Sequence, residues 1–265
     1  MEKEMRWFVE QSALIQGFIA TLFTYGVTAA GAAVVLAIRC VNKKVLDVMM
    51  SFSAGVMIAA SYWSLLEPAF ALAKELDKNA AVTVTLGFFM GGLFIVASDI
   101  LLEKRMVTDY KEEGFKRCIL LITAVTMHNV PEGLAIGVAF GCAGICGGRE
   151  AVTAAIMLAV GIGIQNFPEG ICVAMPLRRE GISRAKSFLA GQFSGMVEPI
   201  AGVLGALFAL TVQSALPMAL SFSAGAMIAV VCSELIPESF KDNKHLSTAG
   251  VLAGFVVMML LDVSF

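Results

Sequence analysis

Charge is scarce in this 265-residue chain. Only 15% of its residues are Asp, Glu, Lys or Arg, against roughly 25% in a soluble domain. Neither sign prevails: 19 basic and 21 acidic residues give a formal net charge of −2, so the basic excess of a nucleic-acid binder is missing. Histidine occurs twice, neither time within an HExxH pair, and no GxxxxGK[ST] loop is present. A zinc hydrolase of that type and a nucleotide-driven pump are therefore disfavoured. The six cysteines (40, 118, 142, 146, 172 and 232) are scattered and read mainly as small apolar core residues. Cys142 and Cys146 flank a glycine-rich turn and could pair, although their spacing carries little weight.

Apolar residues make up what remains: 58% of the chain is hydrophobic. One globular core of this size cannot hide so much apolar surface, so the surplus faces lipid. The reading is an all-α integral membrane protein. Charge-free runs mark the helices: Gln11–Ile38, Val48–Leu66 and Asn79–Ser98 are 28, 19 and 20 residues long, near the roughly 20 needed to cross about 30 Å of hydrocarbon. Further long runs, three of them with carboxylates inside, bring the expectation to eight spans in one transporter domain over 1–265. Their approximate bounds are 11–38, 48–67, 79–101, 118–141, 151–177, 187–212, 216–238 and 245–262. The segment Met1–Trp7 carries two acidic residues and no short apolar run with a cleavage site follows, so the first span is expected to be retained. Alternate loops carry 14 of the 19 Lys and Arg residues, which places both termini outside the cytoplasm. Glu103–Arg117 reads as a charged cytoplasmic linker.

The chain repeats itself. Ser51–Phe70 (SFSAGVMIAASYWSLLEPAF) and Ser221–Phe240 (SFSAGAMIAVVCSELIPESF) are identical at 10 of 20 positions without a gap. They lie in spans two and seven, which cross in opposite directions. The pattern is an inverted-topology repeat, an architecture of secondary transporters that places the substrate near the midplane. A second echo joins spans four and five: His128-Asn129-Val130-Pro131-Glu132-Gly133 answers Gln165-Asn166-Phe167-Pro168-Glu169-Gly170. Three helices, two motif helices and three more give a 3+2+3 plan.

A carboxylate at the centre of a bilayer costs about 2.5–3.5 kcal/mol even on a lenient insertion scale. Glu132, Glu169 and Glu198 all fall within expected spans, and three such groups close together repel one another. A divalent cation removes both penalties. His128 and Glu132 are four residues apart and project from one helix face, as do Gln165 and Glu169. Asn129 and Asn166 are turned by about 100° and could serve a neighbouring position. Pro131, Pro168 and Pro199 interrupt backbone bonding beside each glutamate, and irregular backbone at this depth survives only beside protein or a polar cavity. Imidazole, carboxylate and amide oxygen suit zinc, iron(II), manganese or cadmium, as one ion or as two bridged by glutamates.

These motifs resemble the ZIP (Zrt-, Irt-like protein) family of divalent-metal transporters, of the bacterial type, over essentially the whole chain. The resemblance implies uptake of zinc and related first-row ions toward the cytoplasm as transported substrate, no enzymatic activity, and a plasma-membrane location. It assigns His128, Glu132, Gln165 and Glu169 to a primary site. Asn129, Asn166 and Glu198 fall to a second site, with Glu132 and Glu169 bridging. It further implies a homodimer and an elevator-like sliding of one helix bundle. Two departures stand out: many relatives have histidine where this chain has Gln165, and Glu103–Arg117 lacks the histidine-rich tract common in that loop. His245 reads as a solvated loop residue. Glu234 and Glu238 could line an exit, though they read more simply as interfacial carboxylates. The competing readings are a metal-gated cation channel, which shares the site chemistry, and a metal-dependent intramembrane hydrolase, which the single intramembrane histidine disfavours.

Overall fold

The computed structural model describes residues 7–38, 42–106, 113–146 and 148–264. They are almost entirely helical, and no strand occurs among them. In chain order the helices are α1 (Ala13–Ala37), α2 (Lys43–Ala60, continuing through Ser61–Leu66 into Glu67–Glu75), α3 (Ala80–Met106), α4 (Glu113–Cys146) and α5 (Arg149–Arg179). There follow α6 (Arg184–Gly195, then Val197–Thr211), α7 (Leu216–Val230, continuing through Val231–Leu235 into Ile236–Ser239) and α8 (Lys244–Ser264). Among the described residues, seven stretches are long and apolar enough to cross a membrane: those of α1, α2, α3, α5, α6, α7 and α8. Part of the expected charged linker, residues 107–112, lies outside the described residues, and so does the side chain of Cys146 with its suggested pairing to Cys142.

Polar caps set where the helices begin. Ser12 Oγ accepts from the Ile15 amide, Asn42 Oδ1 from Lys44, Asn79 Oδ1 from Val82 and Asn243 Oδ1 from Leu246. Each satisfies an amide that the first helical turn leaves without a partner. Between caps the usual distribution of polarity is reversed. Phe89, Ile200, Leu204 and Leu252 face outward, whereas Thr21, Thr24, Thr28, Asn129 and Gln165 are buried. Outward apolar faces around a polar interior are what a lipid solvent selects.

α1, α4, α5 and α6 lie against one another, while α2 pairs with α8 and α3 with α7. Small residues allow the close approaches, as expected where lipid gives helices no hydrophobic reason to associate. A Cβ at Gly55 of α2 would lie 2.0 Å from the Val251 carbonyl oxygen of α8. One at Gly225 of α7, the matching position of the repeat, would lie 1.9 Å from Phe88 O of α3. Both second-helix segments also widen into a π-helical turn at the same place in the repeat. The Glu67 amide bonds Tyr62 O, and the Ile236 amide bonds Val231 O. A proline lies two residues beyond each turn (Pro68 and Pro237), and a local π bulge accommodates such an interruption of the ladder.

α6 is interrupted rather than bent. Pro199 has no amide proton and its ring opposes the carbonyl of Gly195. The first segment accordingly stops at Gly195 and the second starts at Val197. Glu198 thereby occupies the first turn of a new helix, at the end whose exposed amides favour an anion.

Candidate metal centre

The buried polar residues converge where α4, α5 and α6 meet α1. Asn129 and Glu132 of α4, Gln165 and Asn166 of α5, and Glu198 of α6 have no solvent exposure, and Glu169 of α5 has 3%. Gln165 joins the two motif helices. Its Nε2 donates to Glu132 Oε1 across the helix pair and lies 3.4 Å from Glu169 Oε1 one turn along its own helix. Glutamates from both copies of the motif are thus brought to one amide.

Beside them is a second group. Asn166 Nδ2 lies 2.9 Å from each oxygen of Glu198 and 3.3 Å from Thr24 O. Thr24 and Thr28 of α1 also donate to the Glu198 carboxylate, Thr28 at 3.3 Å. Asn129 takes another role for its amide: Nδ2 donates to Ser194 O at 2.8 Å, a carbonyl at the break in α6 that would otherwise lack its regular helical partner.

All three amides therefore spend their donors on neighbouring protein oxygens. Their acceptors are left over: Asn129 Oδ1, Gln165 Oε1 and Asn166 Oδ1 are buried and have no hydrogen-bond partner among the described residues. Buried acceptors in this position call for a donor or a cation, since an unmet polar atom costs about 1–3 kcal/mol. Hard amide and carboxylate oxygens converging without thiolates are chemically fit for a divalent ion of borderline softness. His128 lies on α4, but its side chain is outside the described residues. Among those residues no three of His, Cys, Asp and Glu form a ligand cluster. The arrangement instead pairs carboxylates with amides.

Four further residues shape this region. The glycine closing each motif holds a helix at contact distance. A Cβ at Gly133 would lie 2.5 Å from Glu198 O, and one at Gly170 would lie 2.1 Å from Thr28 O. Thr24 and Thr28, whose side chains approach Glu198, give a faint signal in the sequence. With Thr21 they form a buried polar stripe at helical spacing along an otherwise apolar span.

Comparison with known proteins shows the family. The family profile described as ZIP Zinc transporter matches residues 107–262. The chain belongs to the ZIP family. It is 36% identical to "Zinc transporter ZIP11" of Homo sapiens, with 95% of this chain and 98% of that protein covered. It is 34% identical to "Zinc transporter GufA" of Myxococcus xanthus, with 94% and 98% covered. With "Zinc transporter ZupT" of Streptococcus mutans the figure is 30%, with 92% and 96% covered. The family is one of transporters, which removes the hydrolase reading, and it fits the several apolar helices of a multi-pass membrane protein.

Proposed function

We propose that this ZIP-family protein carries zinc, and with it cadmium, iron(II) or manganese, across the plasma membrane into the cytoplasm. The cargo passes through a midplane site built from His128, Asn129, Glu132, Gln165, Asn166, Glu169 and Glu198. One observation carries the reading. Gln165 gathers Glu132 and Glu169 while three neighbouring amide oxygens have no partner among the described residues in a fully buried setting. A cation is the partner that satisfies both at once. Glu132 and Glu169, one from each motif, are placed to bridge a primary position beside Gln165 and a second beside Asn166 and Glu198.

The scaffold is read as one domain of eight spans, α4 being the eighth, in a 3+2+3 plan with both termini outside. The reciprocal glycine contacts of α2 with α8 and of α7 with α3 support the inverted repeat, as do the matching π-helical turns. That repeat is the structural basis of alternating access, and it favours a carrier over a pore. The protein is read as a homodimer within the bilayer. Without a nucleotide-binding loop, the driving force is the ion gradient or coupled proton movement.

Uptake by purified protein in liposomes tests the proposal, with zinc, cadmium, iron(II) and manganese in competition. Flux is expected to saturate, and each competing ion that is a substrate should suppress zinc uptake. Flux that rises linearly without saturation would replace the carrier with a pore, and no uptake would end the reading. The same assay has a pH arm. Metal ligation needs ionised carboxylates and neutral imidazole, so uptake should fall as the outside medium is taken from about pH 8 to 5, through the ordinary histidine and carboxyl ranges. A flat profile would contradict ligand deprotonation.

A further inference from the structure

Glu198 is fully buried, and three neutral side chains donate to its carboxylate: Thr24, Thr28 and Asn166. The threonines differ from the asparagine in one respect. Each hydroxyl owns a single proton and has a second acceptor within reach on its own helix. Thr24 Oγ1 lies 3.0 Å from Thr21 O, and Thr28 Oγ1 lies 3.2 Å from Thr24 O. Rotation of the hydroxyl hydrogen alone moves each donor from carboxylate to carbonyl. No heavy atom need shift, and no buried hydroxyl loses its partner.

We propose that Thr24 and Thr28 are positioning residues that stand in for the cation at Glu198. They donate to the carboxylate once the cargo has left and turn back onto α1 when it arrives. The inference rests on the reading of Glu198 as a cargo ligand. A carrier must return without cargo, and during that passage its site is closed to water. A bare carboxylate there is costly, and charge-assisted hydrogen bonds lower that cost. α1 packs against both segments of α6, so donors and carboxylate belong to one packed unit. The threonines then ease the return of the empty carrier and contribute little when a cation already compensates Glu198.

Two fluxes separate these steps. Net uptake into zinc-free liposomes requires the empty carrier to return, while exchange of labelled zinc against luminal zinc does not. Thr24→Val with Thr28→Val, close in shape but lacking both donors, should lower net uptake relative to exchange by about tenfold or more, the scale set by losing hydrogen bonds to a buried charge. Thr24→Ser with Thr28→Ser keeps the donors and should retain the wild-type ratio. Loss of both fluxes together would mark a merely structural role and overturn the proposal, as would an unchanged ratio. Zinc stoichiometry of purified Glu198→Gln tests the underlying reading separately. A full complement of bound zinc means that Glu198 is not a ligand, and the proposal falls with it. Reduced stoichiometry beside an unchanged flux ratio in the valine variant removes the stand-in role alone.

Discussion

Glu132→Ala or Glu169→Ala is expected to abolish zinc uptake, lowering it by at least about 100-fold, because even the outer partners of metal ligands are worth 10–100-fold. Two losses combine in the first variant. The cation loses a carboxylate that balances its charge in a medium where water cannot, and Gln165 Nε2 loses its acceptor across the helix pair. In the second, the Gln165 amide keeps Glu132 but loses the carboxylate one turn along α5. Both substitutions remove a buried charge, so the folded protein should survive them and the defect should appear in transport. His245→Ala is the matched control: that residue is exposed in the first turn of α8 and its removal should leave uptake within about twofold, as for most surface changes. The comparison is made in liposomes with equal amounts of each reconstituted variant. Wild-type transport by both glutamate variants would refute the site assignment.

How far the site could be read from the sequence depended on what lipid penalises. Glutamate, asparagine and glutamine stand out in an apolar span because each must be answered by a partner. Glu132, Gln165, Asn166, Glu169 and Glu198 were therefore visible one by one, and their repetition in two motifs tied them together. Threonine sends a far fainter signal. It can bond its own helix one turn back, where Thr24 and Thr28 each have a carbonyl within reach, so an isolated span tolerates it and nothing in the sequence says that α1 faces Glu198. The donors of the amides were equally hidden. That Asn129 Nδ2 would turn to Ser194 O follows from the interruption of α6, a three-dimensional circumstance. Pro199 announced a break beside Glu198, but not that the helix would restart at Val197 with the glutamate in its first turn.

The architecture was legible for a different reason, through symmetry. Ten matches in twenty residues cannot say which helix each copy contacts, yet they require the two copies to meet equivalent neighbours if the fold is two-fold related. Gly55 and Gly225 occupy the same place in the repeat and oppose carbonyl oxygens of α8 and α3 in turn. Moreover, Gly254 and Gly91 oppose Phe52 O and Phe222 O, again matching positions. α2 is therefore received by α8, and α7 by α3. The π-helical turns escaped prediction because proline in a span announces an interruption without saying whether the chain will kink, break or widen.

This reciprocity yields the second large effect. Gly55→Ala and Gly225→Ala should each destabilise the protein by about 1–3 kcal/mol or more, the range for overpacking a closely packed core, and by similar amounts to one another. The added methyl would sit 2.0 Å from Val251 O in one case and 1.9 Å from Phe88 O in the other. The opposing atoms are backbone, so no flexible side chain can yield, and relief requires the helices to part. Parting α2 from α8, or α7 from α3, exposes small residues that pack well against nothing else. Thermal unfolding of the detergent-solubilised protein measures the cost. An alanine change on α1 supplies the baseline: Gly26→Ala, where a Cβ would meet no atom within 4 Å, should be neutral or slightly stabilising by helix propensity. Near-equal losses at Gly55 and Gly225 beside an unaffected Gly26 are what a two-fold frame demands. A large cost at one glycine with none at the other would show that the repeat survives in sequence while its two halves are held by different contacts.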